Sequence, residues 1–470
     1  MPQSITAFFS EMKEKKIALI GMGVTNFNVI RWFLQKGLDV TVCDRREPTE
    51  IGERFNQLKE LGAKFMTGPN YLSNLEQFQV VLRSPGVYFY RDELQKAREA
   101  GVVVTSEMEL FFDLCPCKTI GITGSDGKTT TSSLIAAILK QAGYTVHLGG
   151  NIGKALLPEV EQIQPDHIAV VELSSFQLLS MRESPDIAVV TNLSPNHLDV
   201  HGTMEEYVSA KRNLLSHQNA FSSAILNADD AMSQNLIPDV RGKLLTFSRK
   251  KPVFNGTFYD ESDECLYQIN RGVRTLVCSR KDLRIPGVHN IENFLAAVAA
   301  TFPLVPLSAI QTTAQTFTGV EHRIEYVCEF GGVRWYNDSI ATSPTRTIAG
   351  LNSFSQKLIL IAGGYDKKLS YAPLAPKLAE KTKALILTGA TAPKIEQALQ
   401  NCSEYRAGSP KLYHAEKMED AVALAEKISV PGDIVLLSPA SASFDQYPNF
   451  EARGNHFKRL VNQRKEKANG

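Results

Sequence analysis

The sequence lacks the features of secreted, membrane-spanning and nucleic-acid-binding proteins. Its seven cysteines, an odd number scattered over 470 residues, do not indicate a disulfide framework. No window approaches the ~18 uninterrupted apolar residues of a membrane helix, and the opening segment MPQSITAFFSEMKEKK has no signal-peptide core. The 51 Lys and Arg residues nearly balance the 50 Asp and Glu residues, which gives no sign of nucleic acid or an anionic membrane as partner. These absences predict a cytoplasmic protein without membrane insertion.

The dominant pattern is a short apolar run, then Gly, Ser, Asn or Asp, then a helix-like stretch. Continuous Val, Ile and Leu runs are typical of strands buried on both faces, which indicates parallel sheets covered by helices. The sequence therefore predicts an α/β protein that binds ligands at the carboxyl ends of its strands. Such runs occupy residues 17–20, 40–44, 80–86, 119–124, 167–173, 186–192, 358–364, 384–389 and 433–439.

A chain of this length is too long for one core, and the pattern divides into three blocks. The first contains the glycine turn IALIGMGVTN, the second begins just before the loop GITGSDGKTT, and the third repeats the strand–helix pattern. Residues 244–269 alternate more between apolar and polar and predict an antiparallel edge. The predicted domains are 1–107, 108–319 and 320–470.

The stronger of the two glycine turns is GITGSDGKTT, at residues 121–130. A strand-like run leads into it, and an apolar-periodic stretch follows, the order expected of a phosphate-binding loop. Lys128 could reach the β- and γ-phosphates and the Thr129 hydroxyl could hold Mg²⁺, although the glycines at 121, 124 and 127 depart from the usual spacing. Glu172, which closes another predicted strand, is placed to hold the metal, or else to cap the segment that follows.

The weaker turn contains Gly21 and Gly23, but Asn26 stands where a dinucleotide fingerprint has Gly or Ala. Asp44 follows about twenty residues later at the end of the next strand, where a ribose or base contact is common. The pattern leaves three interpretations open: an NAD site, a nucleotide-sugar site without redox chemistry, or glycines that serve only tight packing.

Two further features are ambiguous on their own. His197, Asp199 and His201 form an HxDxH segment, which would place three metal-binding groups on one face of an extended segment, as in hydrolases. No further His/Asp cluster at ligand spacing accompanies it, which disfavours a hydrolase. Lys211, in EEYVSAKRNLL, has by itself the pattern of an ordinary surface lysine on a helix.

Together, the motifs resemble the Mur ligases, the ATP-dependent amino-acid ligases of peptidoglycan precursor synthesis. The loop and the HN..N pattern are shared with folylpolyglutamate synthases, whereas the first block and the final run are particular to the branch that adds D-glutamate to UDP-N-acetylmuramoyl-L-alanine. The resemblance covers essentially the whole chain and rests on GITGSDGKTT, GGNIG, VELSSFQL, NLSPNHLDVHGTMEEYVSAK, GVHNIENFLAA, EHRIE, NDSIATSP, LIAGGYDKK and SPASASFDQYPNFEARG.

The resemblance implies a fold and a set of ligands. It implies an N-terminal Rossmann-like domain that binds the UDP-sugar substrate, a central P-loop-like ATPase domain with a parallel sheet, and a C-terminal Rossmann-like domain that brings D-glutamate. The reaction would pass through an acyl phosphate made with ATP. Two Mg²⁺ sites and a CO₂-derived carbamate on Lys211, which turns a cation into an anion, are also implied. A monomer is expected.

The resemblance also implies roles for individual residues. Lys128, His197 and Lys211 would be catalytic, and Thr129, Glu172, His197 and Lys211 would hold metal. ATP would be bound by Gly124, Ser125, Asp126, Gly127, Lys128, Thr129, Thr130, Asn293, Arg323 and Asp338. The UDP part would contact Val24, Thr25, Asp44 and Arg46, the sugar and alanine would contact Asn151, Ser174 and Gln177, and D-glutamate would contact Thr342, Lys367, Ser443 and Phe450.

Two departures from the family pattern keep rival hypotheses open. Asp126 adds negative charge beside the expected phosphates, and Ile340 follows Ser339 where the best-known form of the NDS motif has a lysine. The rivals are a Mur ligase that adds L-alanine, a diamino acid or a dipeptide, a NAD-binding regulatory or redox protein, and a non-catalytic partner subunit. A folylpolyglutamate synthase is disfavoured because it lacks the first block.

Overall fold

The computed structural model describes residues 4–367 and 369–469, without the side chains of Val24, Thr25, Leu198, Asp199 and Asn469. By compactness the chain divides into two units. Unit one comprises Met1–Asp282 and Ile291–Gln315, and unit two comprises Leu283–Asn290 and Thr316–Gly470. Among the described residues, no helix combines the length and the apolar composition that crossing a membrane would require.

The N-terminal part of unit one is a five-stranded parallel sheet with the order β3-β2-β1-β4-β5. The direction in which the chain adds strands reverses between β1 and β4, and ligands of such sheets bind at the carboxyl ends beside this switch point. The strands are β1 (Lys16–Ile20), β2 (Asp39–Asp44), β3 (Lys64–Thr67), β4 (Val80–Arg83) and β5 (Val103–Ser106). The helices are α1 (Ile5–Met12), α2 (Val24–Gln35), α3 (Pro48–Ile51), α4 (Glu53–Glu60), α5 (Asp92–Glu99) and α6 (Glu107–Leu114).

The rest of unit one is built on a nine-stranded sheet with the order β14-β13-β12-β11-β10-β9-β6-β8-β7 in the described residues. The strands are β6 (Lys118–Thr123), β7 (Val146–Gly150), β8 (Ile168–Glu172), β9 (Ile187–Val190), β10 (Ser223–Asn227), β11 (Lys243–Ser248), β12 (Gly256–Asp260), β13 (Cys265–Asn270) and β14 (Val273–Ser279). The antiparallel edge predicted at 244–269 is confirmed for β12 and β13 and continues into β14, whereas β11 pairs in parallel.

The helices of this part of the chain follow β6. They are α7 (Lys128–Gln141), α8 (Ser175–Leu178), α9 (Leu198–His201), α10 (Met204–Ser216), α11 (Ala231–Gln234), α12 (Val288–Thr301) and α13 (Leu307–Thr316). Helix α12 begins and α13 ends within unit two. Across both units, short 3₁₀ turns occupy Leu75–Gln77, Leu157–Gln162, Ile237–Asp239, Arg280–Asp282 and Ala372–Leu374.

Unit two contains a six-stranded sheet with the order β15-β16-β20-β17-β18-β19, parallel apart from the β15–β16 pair. The strands are β15 (Glu325–Phe330), β16 (Val333–Asn337), β17 (Leu358–Gly363), β18 (Thr382–Thr388), β19 (Lys411–His414) and β20 (Ile434–Leu437). The helices are α14 (Pro344–Asn352), α15 (Ala375–Lys381), α16 (Ala392–Gln400), α17 (Met418–Ile428) and α18 (Phe450–Asn469). The predicted α/β class is confirmed, and the predicted domain limits stay predictions.

Every residue of β17 is buried, which explains its continuous apolar run LILIAG. We expect Leu360→Ala, which empties a fully buried position in the core around Tyr336 and Leu385, to lower the free energy of unfolding of unit two by about 2–5 kcal/mol. Urea unfolding followed by the fluorescence of Trp335, in a Trp32→Phe background, measures this. The exposed Val430→Ala serves as control, and a Leu360→Ala effect as small as the control's would contradict the burial.

Candidate active site

The glycine-rich loop joins β6 to α7 as predicted. Gly124 and Gly127 have φ values of 147° and 79°, and a Cβ at these positions would collide with Thr191 and Asn293 respectively. Helix α7 begins at Lys128 without a side-chain cap on its first N–H groups. An uncapped helix N-terminus behind a glycine loop presents N–H donors and partial positive charge to an anion.

Polar contacts hold this loop in place. The Ser125 N–H donates to the Asn192 carbonyl oxygen over 2.8 Å, and the Ser125 hydroxyl donates to the Ser194 carbonyl oxygen over 2.8 Å. The Lys128 ammonium donates to the carbonyl oxygens of Gly124 and Ser125 over 2.9 and 2.8 Å. The loop conformation is therefore fixed by hydrogen bonds within the protein, and the Lys128 side chain folds back over the loop.

Glu172 lies at the end of β8 beside the loop, because β8 pairs with β6 and Glu172 is in register with Ile122. Its Oε1 accepts a hydrogen bond from the Asn151 amide nitrogen over 2.8 Å, and its Oε2 is buried without a partner. An unsatisfied buried carboxylate oxygen is costly unless a cation or donor reaches it. The alternative that Glu172 caps the next segment is wrong, because Ser174 caps α8.

Lys211 lies under the loop and is 1% exposed, so the interpretation as a surface lysine is wrong. Its ammonium donates to Thr123 Oγ1 over 3.1 Å and to the Gly124 carbonyl oxygen over 2.9 Å. Burial, together with the charge of Lys128, lowers the pKa of Lys211 well below its ordinary value, although Glu172 opposes the shift. The fold thus places an amine with a lowered pKa beside the glycine loop.

The HxDxH segment does not have the extended form expected of a hydrolase site, because it runs into helix α9. His197 is exposed with φ 55°, and its ring centroid lies 5.2 Å from that of Phe176. His201 is buried, stacks on Phe176 and shares a 2.9 Å hydrogen bond with the Ser175 hydroxyl. The structure does not describe the Asp199 side chain. In the part of the chain that it does describe, no group of three or more His, Cys, Asp or Glu side chains could hold a metal ion.

A cleft with a volume of about 160 Å³ lies between the carboxyl ends of β1 and β4 and those of β7 and β8. Two predicted substrate residues, Asn151 and Gln177, line it together. The lining residues are Gly23, Asn26, Ser84, Pro85, Ser106, Glu107, Met108, Gly150, Asn151 and Gln177. Ser174 is not among them. It caps α8, and its N–H and hydroxyl both donate to Gln177 Oε1 over 2.9 Å.

Asp44 and Arg46, predicted to contact the UDP part, are joined to each other. Buried Asp44 accepts from the Met22 N–H over 2.8 Å and from the Arg46 guanidinium over 2.9 and 3.0 Å. Burial alone would raise the pKa of Asp44, but the hydrogen bonds from Arg46 and Met22 hold that pKa below its ordinary value. The pair therefore anchors the glycine turn after β1. The side chains of Val24 and Thr25 lie outside the described residues.

Glu107 is a cleft residue that the sequence analysis missed. It is buried, and its Oε1 accepts from the N–H groups of Leu156 and Leu157, both over 3.1 Å. Burial raises the pKa of Glu107 to about 7. Acidic residues are common in the first turn of a helix because they stabilise the helix dipole. The sequence alone therefore does not distinguish Glu107 from an ordinary acid at a helix start.

The remaining predicted ATP residues lie in both units, and each is described within its own unit. In unit one, Asn293 of α12 lies beside Gly127 and accepts from the Thr131 hydroxyl over 3.3 Å. In unit two, buried Asp338 accepts from the Ser438 hydroxyl over 2.7 Å, and burial raises the pKa of Asp338 to about 7 although Arg323 opposes the shift.

In unit two, Arg453 organises two loops that contain predicted amino-acid-binding residues, and sequence analysis gave it no role. Its buried guanidinium donates to the Ser339 hydroxyl and carbonyl oxygens over 3.0 and 2.9 Å, and to the carbonyl oxygens of Ser441 and Ala442. The Ser339 hydroxyl in turn donates to the Phe450 carbonyl oxygen over 2.8 Å.

The other predicted residues for D-glutamate differ in exposure. Ser443 is buried, Thr342 is half-buried, and Lys367 is exposed with its Nζ 6.0 Å from the Phe444 ring centroid. Lys368, which ends the motif LIAGGYDKK, lies outside the described residues. The contacts of these residues with an amino acid stay predictions.

Comparison with known proteins identifies the family. Residues 15–106 match the model described as Mur ligase MurD-like, N-terminal domain, residues 122–301 the Mur ligase middle domain, and residues 322–441 the Mur ligase, glutamate ligase domain. The chain belongs to the Mur ligase family. Membership confirms the predicted three-domain α/β fold and the predicted use of ATP.

Relatives and solved structures are similar to this Mur ligase over almost its whole length. The chain is 47% identical to the UDP-N-acetylmuramoylalanine–D-glutamate ligase of Acetivibrio thermocellus. The match covers 98% of this chain and 99% of that relative. The protein of the same name from Clostridium acetobutylicum is 44% identical over 98% of this chain and 99% of its own.

Two solved structures share the fold. The UDP-N-acetylmuramate-alanine ligase MurC of Thermotoga maritima has a TM-score of 0.56 at 20% identity, covering 96% of this chain and 100% of its own. A UDP-N-acetylmuramoyl-L-alanyl-D-glutamate–2,6-diaminopimelate ligase has a TM-score of 0.55 at 19% identity, covering 95% and 92%.

The raised pKa of Glu107 predicts a pH-dependent stability. Because the folded state holds the proton more tightly than the unfolded chain, this contribution is fully present below the ordinary Glu pKa and is lost as the pH rises through about 7. We expect wild type to lose stability relative to Glu107→Gln, on the order of a few kcal/mol between pH 4.5 and 8. Urea unfolding at both pH values measures this, and parallel curves for the two proteins would contradict it.

Proposed function

We propose that this Mur ligase joins D-glutamate to UDP-N-acetylmuramoyl-L-alanine at the expense of ATP, in peptidoglycan precursor synthesis. The full-length relatives bear the name of that activity. The observation that carries the proposal is the pairing of two sites in unit one. A phosphate loop with Lys128, Glu172 and Lys211 lies at one end of the central sheet, and the cleft lined by Asn151 lies beside it. Asn151 joins the two, since it lines the cleft and donates to Glu172.

The chemistry requires ATP because a bare carboxylate is a poor acyl donor. A carboxylate oxygen of the sugar substrate attacks the γ-phosphorus, the bond to ADP breaks, and an acyl phosphate forms. The uncharged amine of D-glutamate then attacks the acyl carbon, and phosphate leaves from the tetrahedral intermediate with loss of a proton from nitrogen. Lys128 and the N–H groups that begin α7 would neutralise the phosphate charge, which is catalysis by positioning and electrostatics.

The residues around Glu172 fit a divalent cation. Its buried Oε2 has no partner, and hydroxyl and carboxylate oxygens such as those of Thr129 and Glu172 are the ligands Mg²⁺ prefers. When bound, Mg²⁺ would offset the charges of phosphate and substrate carboxylate. His197 would hold a second ion, with Lys211 as its partner residue.

The environment of Lys211 supports the proposed carbamate. An amine must lose its proton before its nitrogen can bond to the carbon of CO₂, which yields a carbamate anion and a proton. Burial and Lys128 lower the pKa of Lys211 and so favour the uncharged amine. The carbamate would carry a negative charge that attracts Mg²⁺, whereas the protonated lysine would repel the ion.

The remaining predictions concern the setting of the reaction. We propose that the protein is a monomer, and that it is cytoplasmic because ATP and UDP-sugars are cytoplasmic metabolites. The roles of Asp44 and Arg46 towards UDP, of Ser174 and Gln177 towards the sugar and alanine, and of Thr342, Lys367, Ser443 and Phe450 towards D-glutamate are part of the proposal.

The deciding experiment incubates purified protein with Mg²⁺-ATP, UDP-N-acetylmuramoyl-L-alanine and a panel of amino acids, and measures phosphate release. Release with D-glutamate alone supports the proposal. Release with a different amino acid would indicate another Mur ligase. Hydride transfer without any need for ATP would indicate a redox protein, and binding of both nucleotides without turnover a non-catalytic subunit.

We expect Lys128→Ala to lower kcat by at least about 10³-fold, because the phosphates lose their only ammonium donor within the loop GITGSDGKTT. Steady-state phosphate release measures this. Lys140→Ala, at the exposed last turn of the same helix, is the matched control. A variant with unimpaired kcat would remove the loop from the mechanism.

We expect Lys211→Ala to be inactive and partly rescued by a small carboxylic acid, which can occupy the vacated space and restore a negative charge. Activity is titrated with acetate or formate at constant ionic strength, and thermal unfolding confirms that the variant is folded. Lys128→Ala, which removes a cation and not a carbamate, is the control that carboxylic acids should leave inactive. Full activity of Lys211→Ala without rescue would exclude a carbamate requirement.

A further inference from the structure

We infer that Arg83 is a positioning residue for the cleft, because it joins two segments that contribute to the lining. The inference rests on the proposed function, in which this cleft receives the sugar nucleotide. Arg83 ends β4 and is 2% exposed, and the next two residues, Ser84 and Pro85, line the cleft. The side chain itself is not part of the lining.

The guanidinium reaches both segments at once. One terminal nitrogen donates to the Val87 carbonyl oxygen over 2.9 Å, within the loop that follows β4. The other donates to the Phe176 carbonyl oxygen over 2.9 Å and to the Ser180 hydroxyl over 3.0 Å. Phe176 directly precedes Gln177, which lines the cleft. The Arg83 fork therefore fixes the position of the 84–87 loop relative to the segment that contains Gln177.

The hydrogen bonds continue into a third part of the lining. The Ser180 hydroxyl donates to Glu109 Oε2 over 2.9 Å, and the Ser106 hydroxyl donates to the same oxygen over 2.8 Å. Ser106 lines the cleft. The carboxylate of Glu109 also compensates the buried charge of Arg83, whose pKa burial lowers to about 10, so the guanidinium stays charged near neutral pH.

The geometry requires arginine and not simply a cation. A planar fork can donate to acceptors on two segments simultaneously, whereas a lysine ammonium is a compact point charge on a flexible stem. The Arg83 guanidinium also lies over the Phe89 ring at 5.7 Å, a ring it shares with Arg98 at 4.2 Å. Arg98 donates to the Phe89 carbonyl oxygen and belongs to the same loop environment. No contact of Arg98 with the 176–180 segment is found in the described residues, which makes Arg98 a matched control.

The test compares Arg83→Met, Arg83→Lys and the control Arg98→Met in the full-length enzyme. We expect Arg83→Met to weaken calorimetric binding of UDP-N-acetylmuramoyl-L-alanine, and to raise its KM, by about tenfold or more. The KM values for ATP and D-glutamate should change by less than about twofold. Arg83→Lys should recover part of the loss and Arg98→Met should bind like wild type. Equal changes in all three KM values, or none, would overturn the inference.

A second variant keeps the test decisive if Arg83→Met is unstable. Ser180→Ala removes one acceptor of the fork without burying an unpaired charge, and thermal unfolding reports whether it is folded. We expect it to weaken sugar-nucleotide binding, and the combined Arg83→Lys/Ser180→Ala variant to lose less than the product of the two single losses. Multiplicative losses would show that the two residues act independently, against the inference.

The outcomes separate this inference from the proposed function. If wild type binds the sugar nucleotide but releases no phosphate with D-glutamate, the function fails while the binding ratios still decide the role of Arg83. If wild type turns over and Arg83→Met binds normally, the function stands and the inference fails.

Discussion

Strand β6 lies between β8 and β9, with all three strands parallel. This pairing brings the carboxyl ends of the strands to one edge, where the glycine loop follows β6 and Glu172 ends β8. Helix α10 then inserts Lys211 against Thr123 and Gly124 at the same edge. A parallel sheet cannot form without aligning these ends, so the glycine loop and the acid are brought together by a single backbone constraint, and the packing of α10 adds the buried amine.

Three buried charged side chains, Lys211, Arg453 and Glu107, are held by hydrogen bonds to uncharged groups. Arg453 donates mainly to carbonyl oxygens, and Lys211 donates to one carbonyl oxygen and one hydroxyl. Glu107 accepts from two backbone N–H groups. Such contacts satisfy the polar atoms while leaving each charge incompletely neutralised, which is why burial shifts the pKa values of these groups. The arrangement fixes side chains in advance of any ligand, and preorganisation of this kind is what electrostatic catalysis requires.

Strands with a continuous apolar run were predictable, and others were not. Each of the nine runs contains a strand. Among the strands that were not predicted, β3, β7 and β19 are short and only partly buried, whereas β10 is buried but has only a three-residue apolar run. In the site, the glycine loop was predictable because strand, glycines and helix follow one another along the chain. Arg83 and Arg453 were not, because each has partners in a segment far away in the sequence, at Phe176 and at Ser339 respectively.

Local sequence determined the α/β class, the glycine loop and the presence of an acid at the end of β8, because hydrophobic periodicity and backbone freedom act over a few residues. Only the tertiary structure decided which side chains meet. Lys211 has the sequence pattern of a solvated helix residue, yet the packing of α10 buries it beside the loop. His201 belongs to a metal-like motif, yet packing pairs it with Ser175. Burial and partnership arise from contacts between distant segments, and single-segment patterns do not contain that information.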